Sequence, residues 1–240
     1  MLKDKKVVIF DMDGTLIDSV GIWNQVDQKL LEVLGETGRA EEDIQTQRDA
    51  VLRQYSQAAN PYLEYAAYLG RKTGSALPPE EIVSRRYGIA ADYLADHVDY
   101  KPGAEKLLQL LRSRGFTLVI ATTTKKTNMD IYRTKNKNIL AKAPLDQFFS
   151  AIYTREDAKE IKPSPEIYRR VMLELKVKAE DCLIFEDSLI GMEAANRAGI
   201  EVVAMYDRYS DRDRQEINQR ADAYFNNFAD VLEAIRKEEL

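Results

Sequence analysis

The chain has 240 residues, of which 35 are Lys or Arg and 40 are Asp or Glu, so its formal net charge is −5. Because 45% of the residues are hydrophobic, the chain can bury a sizeable core, which excludes a disordered protein. The mild acidity argues against a nucleic-acid partner, and no apolar run reaches the roughly 18 residues of a membrane span. Since Cys182 is the only cysteine, we expect a reducing, cytoplasmic location. We also expect a monomer or weak dimer.

Short apolar segments without polar alternation predict β-strands that are buried on both faces. In chain order they are Lys6–Phe10, Thr117–Ala121, Ala151–Tyr153, Cys182–Phe185 and Val202–Met205. Helical patterns lie between them at Glu105–Arg114, Pro165–Leu175 and Leu189–Ala198. Strands that alternate with helices favour an α/β fold with a Rossmann-like parallel sheet.

The region from about residue 20 to residue 96 interrupts this alternation. It contains long amphipathic patterns at Ile22–Leu34 and Asp43–Tyr55 and no convincing strand pattern. The segment Gly70–Pro79 contains two glycines and a Pro-Pro pair, which indicate a loop. We therefore predict an all-helical cap domain at residues 19–98, inserted into a core of residues 1–18 and 99–240.

Acidic residues follow the first and the fourth predicted strand. Asp11, Asp13 and Gly14 follow the first strand, and Glu186 and Asp187 end the fourth. Ligands of open α/β sheets bind at the carboxyl ends of the strands. Two carboxylates two residues apart can act as nucleophile or metal ligand and as acid or base, although Asp also commonly caps turns. Two adjacent buried acids repel each other unless a cation such as Mg²⁺ compensates.

Two further segments offer groups that bind anions. The second predicted strand leads into Thr122 and Thr123, whose hydroxyl and backbone N–H groups would lie near a helix start. Lys162 lies beside Pro163, before another predicted helix. For Thr122 and Thr123, the alternative interpretation is an ordinary helix cap. For Lys162, it is a solvated surface lysine.

Together, these segments resemble the four ordered motifs of the haloacid dehalogenase superfamily. The matching stretches are DMDGTL from Asp11, Thr122, IKPSPEIY around Lys162 and FEDSLIGMEAANRAG from Phe185. The resemblance spans nearly the whole chain and is closest to β-phosphoglucomutase-like and phosphoglycolate-phosphatase-like proteins. It implies that the helical insertion is a cap and that residues 221–240 form a closing strand and helix.

The resemblance also implies a role for each motif residue. Asp11 would attack phosphorus and form an aspartyl-phosphate, while Asp13 would protonate the leaving alcohol and later deprotonate water. The groups that hold the phosphoryl oxygens would be Thr122, Lys162 and backbone N–H groups near Gly14 and Thr123. Mg²⁺ would be held by Asp11, the Asp13 carbonyl and Asp187, with Glu186 in direct or water-mediated support.

The resemblance predicts a Mg²⁺-dependent phosphatase of a small phosphorylated metabolite, such as a sugar phosphate. A phosphomutase of the β-phosphoglucomutase type is the alternative. Such mutases carry a cap histidine shortly after the first motif, where this chain has Trp23, and its one histidine is His97. This departure favours the hydrolase. A response-regulator receiver has a similar residue set, but it is much shorter and has no helical insertion.

Overall fold

The computed structural model describes residues 1–55, 58 and 60–237, except for the side chains of Asp49 and Arg53. The strands are β1 Val7–Phe10, β2 Thr117–Ala121, β3 Ala151–Tyr153, β4 Cys182–Glu186, β5 Glu201–Met205 and β6 Ala223–Phe225. The helices are α1 Ile22–Val33, α2 Glu41–Gln54, α3 Pro61–Thr73, α4 Pro79–Asp96, α5 Ala104–Ser113, α6 Lys126–Thr134, α7 Lys137–Lys142, α8 Leu145–Phe148, α9 Glu166–Leu175, α10 Leu189–Ala198, α11 Arg214–Arg220 and α12 Phe228–Lys237. No helix among these described residues combines the length and apolarity needed to cross a membrane.

The six strands form one parallel sheet in the order β3-β2-β1-β4-β5-β6. This is the order of a doubly wound α/β sheet, in which the winding direction reverses beside β1. The structure therefore confirms the predicted Rossmann-like fold class. The closing strand and helix that the resemblance implied correspond to β6 and α12, while residues 238–240 of that prediction lie outside the described residues.

The sheet is buried because helices cover both of its faces, as its apolar strands require. All four residues of β1 and all five of β4 are buried. On one face, Ile9 and Ile184 belong to the same buried cluster as Tyr168 of α9. On the other face, the rings of Phe10 and Phe185 stack with their centroids 5.0 Å apart.

The strand register brings three chain segments to the same level at the carboxyl edge of the sheet. Phe10, at the end of β1, pairs with Ile120 of β2 and with Phe185 of β4. The backbone N–H of Asp11 then donates to the Phe185 carbonyl at 3.0 Å. The residues that follow β1, β2 and β4 therefore emerge next to one another.

The described chain divides into two compact units, residues 1–20 with 98–237 and residues 21–97. The sequence predicted residues 1–18 with 99–240 and residues 19–98, and the role of the second unit as a cap domain stays a prediction. The described part of the second unit contains α1 to α4 and no strand. Its buried residues come from all four helices, including Leu30, Ile44, Leu69 and Ile82.

The predicted loop Gly70–Pro79 was wrong in its first four residues, which belong to α3, and in Pro79, which begins α4. Helix α3 continues to Thr73 and ends at Gly74, which has a φ of 68°. Gly70 lies inside the helix, where a Cβ atom would be 3.2 Å from Cδ1 of Ile82 in α4. This glycine therefore permits two helices to approach closely and does not end one.

Candidate active site

A cavity of about 240 Å³ opens at the carboxyl ends of β1, β2 and β4. Its lining includes seven side chains singled out by the sequence, namely Asp11, Asp13, Thr122, Thr123, Lys162, Glu186 and Asp187. The eighth predicted site residue, Gly14, lies against Asp187. The fold thus brings together residues that are far apart along the chain, and their chemical roles stay predictions.

Lys162 connects the two acidic segments of the cavity, the one after β1 and the one at the end of β4. Its Nζ lies 2.6 Å from Oδ1 of Asp11 and 2.7 Å from Oε1 of Glu186. The lysine is only 3% exposed, which excludes the solvated surface lysine. Although burial disfavours the ammonium charge, the charges of Asp11 and Glu186 raise the pKa of Lys162 well above its usual value. The site therefore contains a permanent cation beside Asp11.

Glu186 holds the beginning of α10 as well as the lysine. Its Oε2 accepts the backbone N–H groups of Asp187 at 2.8 Å and Ser188 at 3.0 Å, and the Ser188 hydroxyl at 3.1 Å. At Gly191, a Cβ atom would be 1.8 Å from Oε1 of the same carboxylate. Glu186 is thus bound by protein donors on both oxygens and is packed against the backbone of α10.

Three buried carboxylates have the arrangement of a metal site. Asp11, Glu186 and Asp187 each offer an oxygen, and these oxygens lie within 4.8 Å of one another. Burial raises the pKa of Asp187 well above its usual value, and the charges of Glu186 and Asp11 raise it further. Burial likewise raises the pKa of Asp11, to about 7, against the lowering effect of Lys162.

The charge balance of this cluster fits a hard divalent cation. Of the described residues lining the cavity, Lys162 is the one cation that faces these three carboxylates. Carboxylate oxygens are the ligands that Mg²⁺ and Ca²⁺ prefer. Thr15 donates to Oδ1 of Asp187 at 2.7 Å, which orients that carboxylate. The donor set is therefore compatible with a divalent metal.

Gly14 allows the loop after β1 to approach Asp187. Its φ is +85°, a conformation that residues with a side chain rarely adopt. A Cβ atom at this position would lie 2.5 Å from Oδ2 of Asp187. Both the backbone conformation and the available space therefore require glycine here.

Asp13 is surrounded by hydroxyl groups. Its Oδ1 accepts from the Ser19 hydroxyl and from the Tyr132 hydroxyl at 3.1 Å, and its Oδ2 accepts from the Thr124 hydroxyl. The Thr124 hydroxyl also lies 3.0 Å from the Thr122 hydroxyl. Asp13 thus occupies a polar environment that is distinct from the acidic cluster.

The sequence analysis missed the residues that hold the carboxylates. Thr15 lies inside the motif DMDGTL and Thr124 lies two residues after Thr122, so their positions beside predicted site residues were a usable signal. The sequence contained no signal for Tyr132, because this residue lies 119 positions from Asp13, which it contacts. Tyr209 also lines the cavity, from a short 3₁₀ turn at Arg208–Asp213.

A family model and known proteins match most of the length of this chain. The model of the haloacid dehalogenase-like hydrolase family matches residues 8–205. The chain is 26% identical over 208 residues to Protein CbbY of Rhodobacter capsulatus, covering 85% of this chain and 87% of that protein. It is 26% identical over 196 residues to the phosphorylated carbohydrates phosphatase of Thermotoga maritima, covering 82% of each.

Solved structures show the same fold. CbbY from Rhodobacter sphaeroides in complex with phosphate aligns with a TM-score of 0.66 and 26% identity, over 94% of this chain and 95% of that chain. A HAD family hydrolase from Deinococcus radiodurans with bound phosphate and sodium aligns with a TM-score of 0.70 and 20% identity, over 98% and 96% of the two chains. The resemblance predicted from the four motifs is thereby confirmed. Since the family model matches most of its length, this chain belongs to the haloacid dehalogenase-like hydrolases.

Proposed function

We propose that the protein hydrolyses phosphate monoesters of small phosphorylated metabolites, sugar phosphates among them, through an aspartyl-phosphate on Asp11. The observation that carries this proposal is the buried contact between Asp11 and Lys162 inside a cavity that also contains Thr122. The family match and relatives named as phosphatases confirm the prediction of a phosphoric monoester hydrolase.

In the first step, a carboxylate oxygen of Asp11 forms a bond to phosphorus while the ester bond to the leaving oxygen breaks. Asp13 gives its proton to that oxygen, so that an alcohol departs. The ammonium group of Lys162 and the hydroxyl of Thr122 bind the phosphoryl oxygens and balance their charge. Phosphoryl transfer depends mainly on positioning and charge neutralisation of this kind.

In the second step, water hydrolyses the aspartyl-phosphate. Asp13, now a carboxylate, removes a proton from the water as its oxygen bonds to phosphorus and the bond to Asp11 breaks. Inorganic phosphate is released and both aspartates return to their starting states. One residue thus serves as acid and then as base because the leaving alcohol and the attacking water use the same position.

We further propose that Mg²⁺ is the divalent cation of the site. Asp11, Asp187 and the Asp13 carbonyl would hold it, and Glu186 would support it. When bound, the cation neutralises charge between the substrate phosphate and the carboxylates. Its support is the cluster of three buried carboxylates described above.

A panel of phosphorylated metabolites, assayed for released phosphate with Mg²⁺ and again with excess EDTA, tests the proposal. We expect hydrolysis of at least one sugar phosphate and its loss in EDTA. No hydrolysis of any monoester would contradict the proposal. A second assay offers β-glucose 1-phosphate with a trace of the bisphosphate, where rapid formation of glucose 6-phosphate with little free phosphate would identify a mutase. The cytoplasmic location and the monomeric or weakly dimeric state stay predictions.

A further inference from the structure

The two oxygens of Asp13 have different numbers of hydrogen-bond donors. Oδ1 accepts two hydroxyls, from Ser19 and from Tyr132, and Oδ2 accepts the hydroxyl of Thr124. A carboxylate oxygen has two lone pairs. Two donors therefore fill Oδ1, whereas Oδ2 keeps one lone pair for another proton.

Tyr132 differs from the other two donors in how firmly its hydroxyl is placed. Its side chain belongs to α6 and is only 1% exposed. The phenol oxygen sits at the end of a rigid ring, so packing of the ring determines its position. The hydroxyls of Ser19 and Thr124 are on short side chains that reorient by a single torsion. Of the three donors, Tyr132 is thus the one whose hydroxyl position is fixed by packing.

We propose that Tyr132 is a positioning residue that, together with Ser19, keeps Oδ1 of Asp13 occupied, so that Oδ2 carries the proton of the reaction. This inference rests on the proposed function, in which Asp13 is the acid and base. In the first step the Oδ2–H bond breaks and the proton goes to the leaving oxygen. In the second step Oδ2 takes a proton from the attacking water, whose oxygen bonds to phosphorus.

The variant Tyr132→Phe tests this role because it removes one hydroxyl and keeps the ring that fills the core. We expect kcat/KM for alkyl phosphates, measured with glucose 6-phosphate and glycerol 1-phosphate in the presence of Mg²⁺, to fall about 10- to 100-fold, the usual effect of a lost hydrogen bond to a charged group. For 4-nitrophenyl phosphate, whose leaving group departs without a proton, we expect less than about a threefold change.

The matched control is Tyr153→Phe. Tyr153 is also buried, and its hydroxyl donates to a carboxylate, that of Glu174, at 2.8 Å. This variant should leave the ratio of alkyl to aryl kcat/KM unchanged. Equal losses on both ester types in Tyr132→Phe, or a loss on neither, would overturn the proposal.

Two further measurements separate this inference from the proposed function. In an Asp13→Asn background, Tyr132→Phe should cause little additional loss, because a residue that acts through Asp13 has nothing left to position. A crystal structure of Tyr132→Phe should show a changed orientation of the Asp13 carboxylate, and an unchanged one would contradict the positioning role even without activity. Wild-type hydrolysis by Asp11→Asn would instead refute the proposed function.

Discussion

At the scale of single residues, the site depends on a local imbalance of charge. Lys162 contacts two carboxylates directly, and Asp187 adds a third that it does not contact. The raised pKa values of Asp11 and Asp187 follow from burial and from this crowding. Such perturbed carboxyl groups in a cavity are typical of catalytic or metal-binding sites.

We predict that Asp11→Asn abolishes hydrolysis without unfolding the protein. An amide is a poor nucleophile, and the substitution preserves the shape of a side chain that is 7% exposed. Released phosphate and thermal unfolding are the measurements. The matched control is Asp18→Asn, seven residues along the chain and exposed, which should keep wild-type activity. Turnover by Asp11→Asn at the wild-type rate would refute the assignment of the nucleophile.

We predict that Gly14→Ala lowers activity far more than Gly115→Ala. The two glycines have nearly equal φ values, +85° and +81°, so each alanine costs about 1–2 kcal/mol of backbone strain. A Cβ atom meets Asp187 at position 14 but nothing within 4 Å at position 115. The Gly115→Ala protein should therefore unfold at a lower urea concentration than the wild type, yet be active when folded. Equal activity of the two variants would show that the contact with Asp187 is unimportant.

At the scale of elements, the basic stretch Arg133–Lys142 holds a chain connection in place. Within this stretch, Asn136 is fully buried. Its Nδ2 and that of Asn138 both donate to the Val98 carbonyl at 3.0 Å, and the Tyr100 hydroxyl donates to the Ala143 carbonyl at 2.6 Å. The short helix α7 thus anchors the segment that enters α5.

We predict that Asn136→Ala lowers the free energy of unfolding by about 2 kcal/mol, because it removes a helix cap and a buried donor. The Asn136 Oδ1 accepts the N–H of Ile139 at 2.8 Å, so the same side chain caps α7. Asn138→Ala, which loses a partly buried bond to the same carbonyl, should cost less than about 1 kcal/mol. Urea denaturation measures both. Equal costs would argue against a special contribution of the cap.

At the scale of the whole molecule, the buried acidic cluster links metal binding to folding. Carboxylates brought together by β1 and β4 repel one another in the folded chain and separate when it unfolds. A cation that binds only the folded form therefore stabilises it by mass action. This expectation rests on the proposed metal site.

We predict that Mg²⁺ at about 100 times its dissociation constant stabilises the protein by about 2.7 kcal/mol, which raises Tm by roughly 5–10 °C for a chain of this size. Asp187→Asn should lose most of this shift, whereas Asp18→Asn should keep it. Thermal unfolding with MgCl₂, compared with NaCl at equal ionic strength, is the measurement. A shift that is equal in all three proteins would mean that the cation binds elsewhere.

The sequence alone was sufficient for the fold class and for the positions of the motif residues. Apolar segments such as Val7–Phe10 and Cys182–Phe185 are recognisable because a strand buried on both faces needs no polar positions along its length. Asp11 and Glu186 were identifiable because ligands of such sheets bind where strands end. These features are local, so each can be detected within a short window of residues.

Only the tertiary structure decided which groups surround those residues. The contact of Tyr132 with Asp13, the burial of Asn136 and the approach of Ile82 to Gly70 each join segments that are separate in the sequence. Secondary-structure propensity and hydrophobic periodicity describe residues that are close in the sequence. They carry no information about contacts between distant segments. Gly70 illustrates the consequence, because a glycine that ends a helix and one that admits a neighbouring helix are identical in sequence. Packing between elements determines which of the two it is.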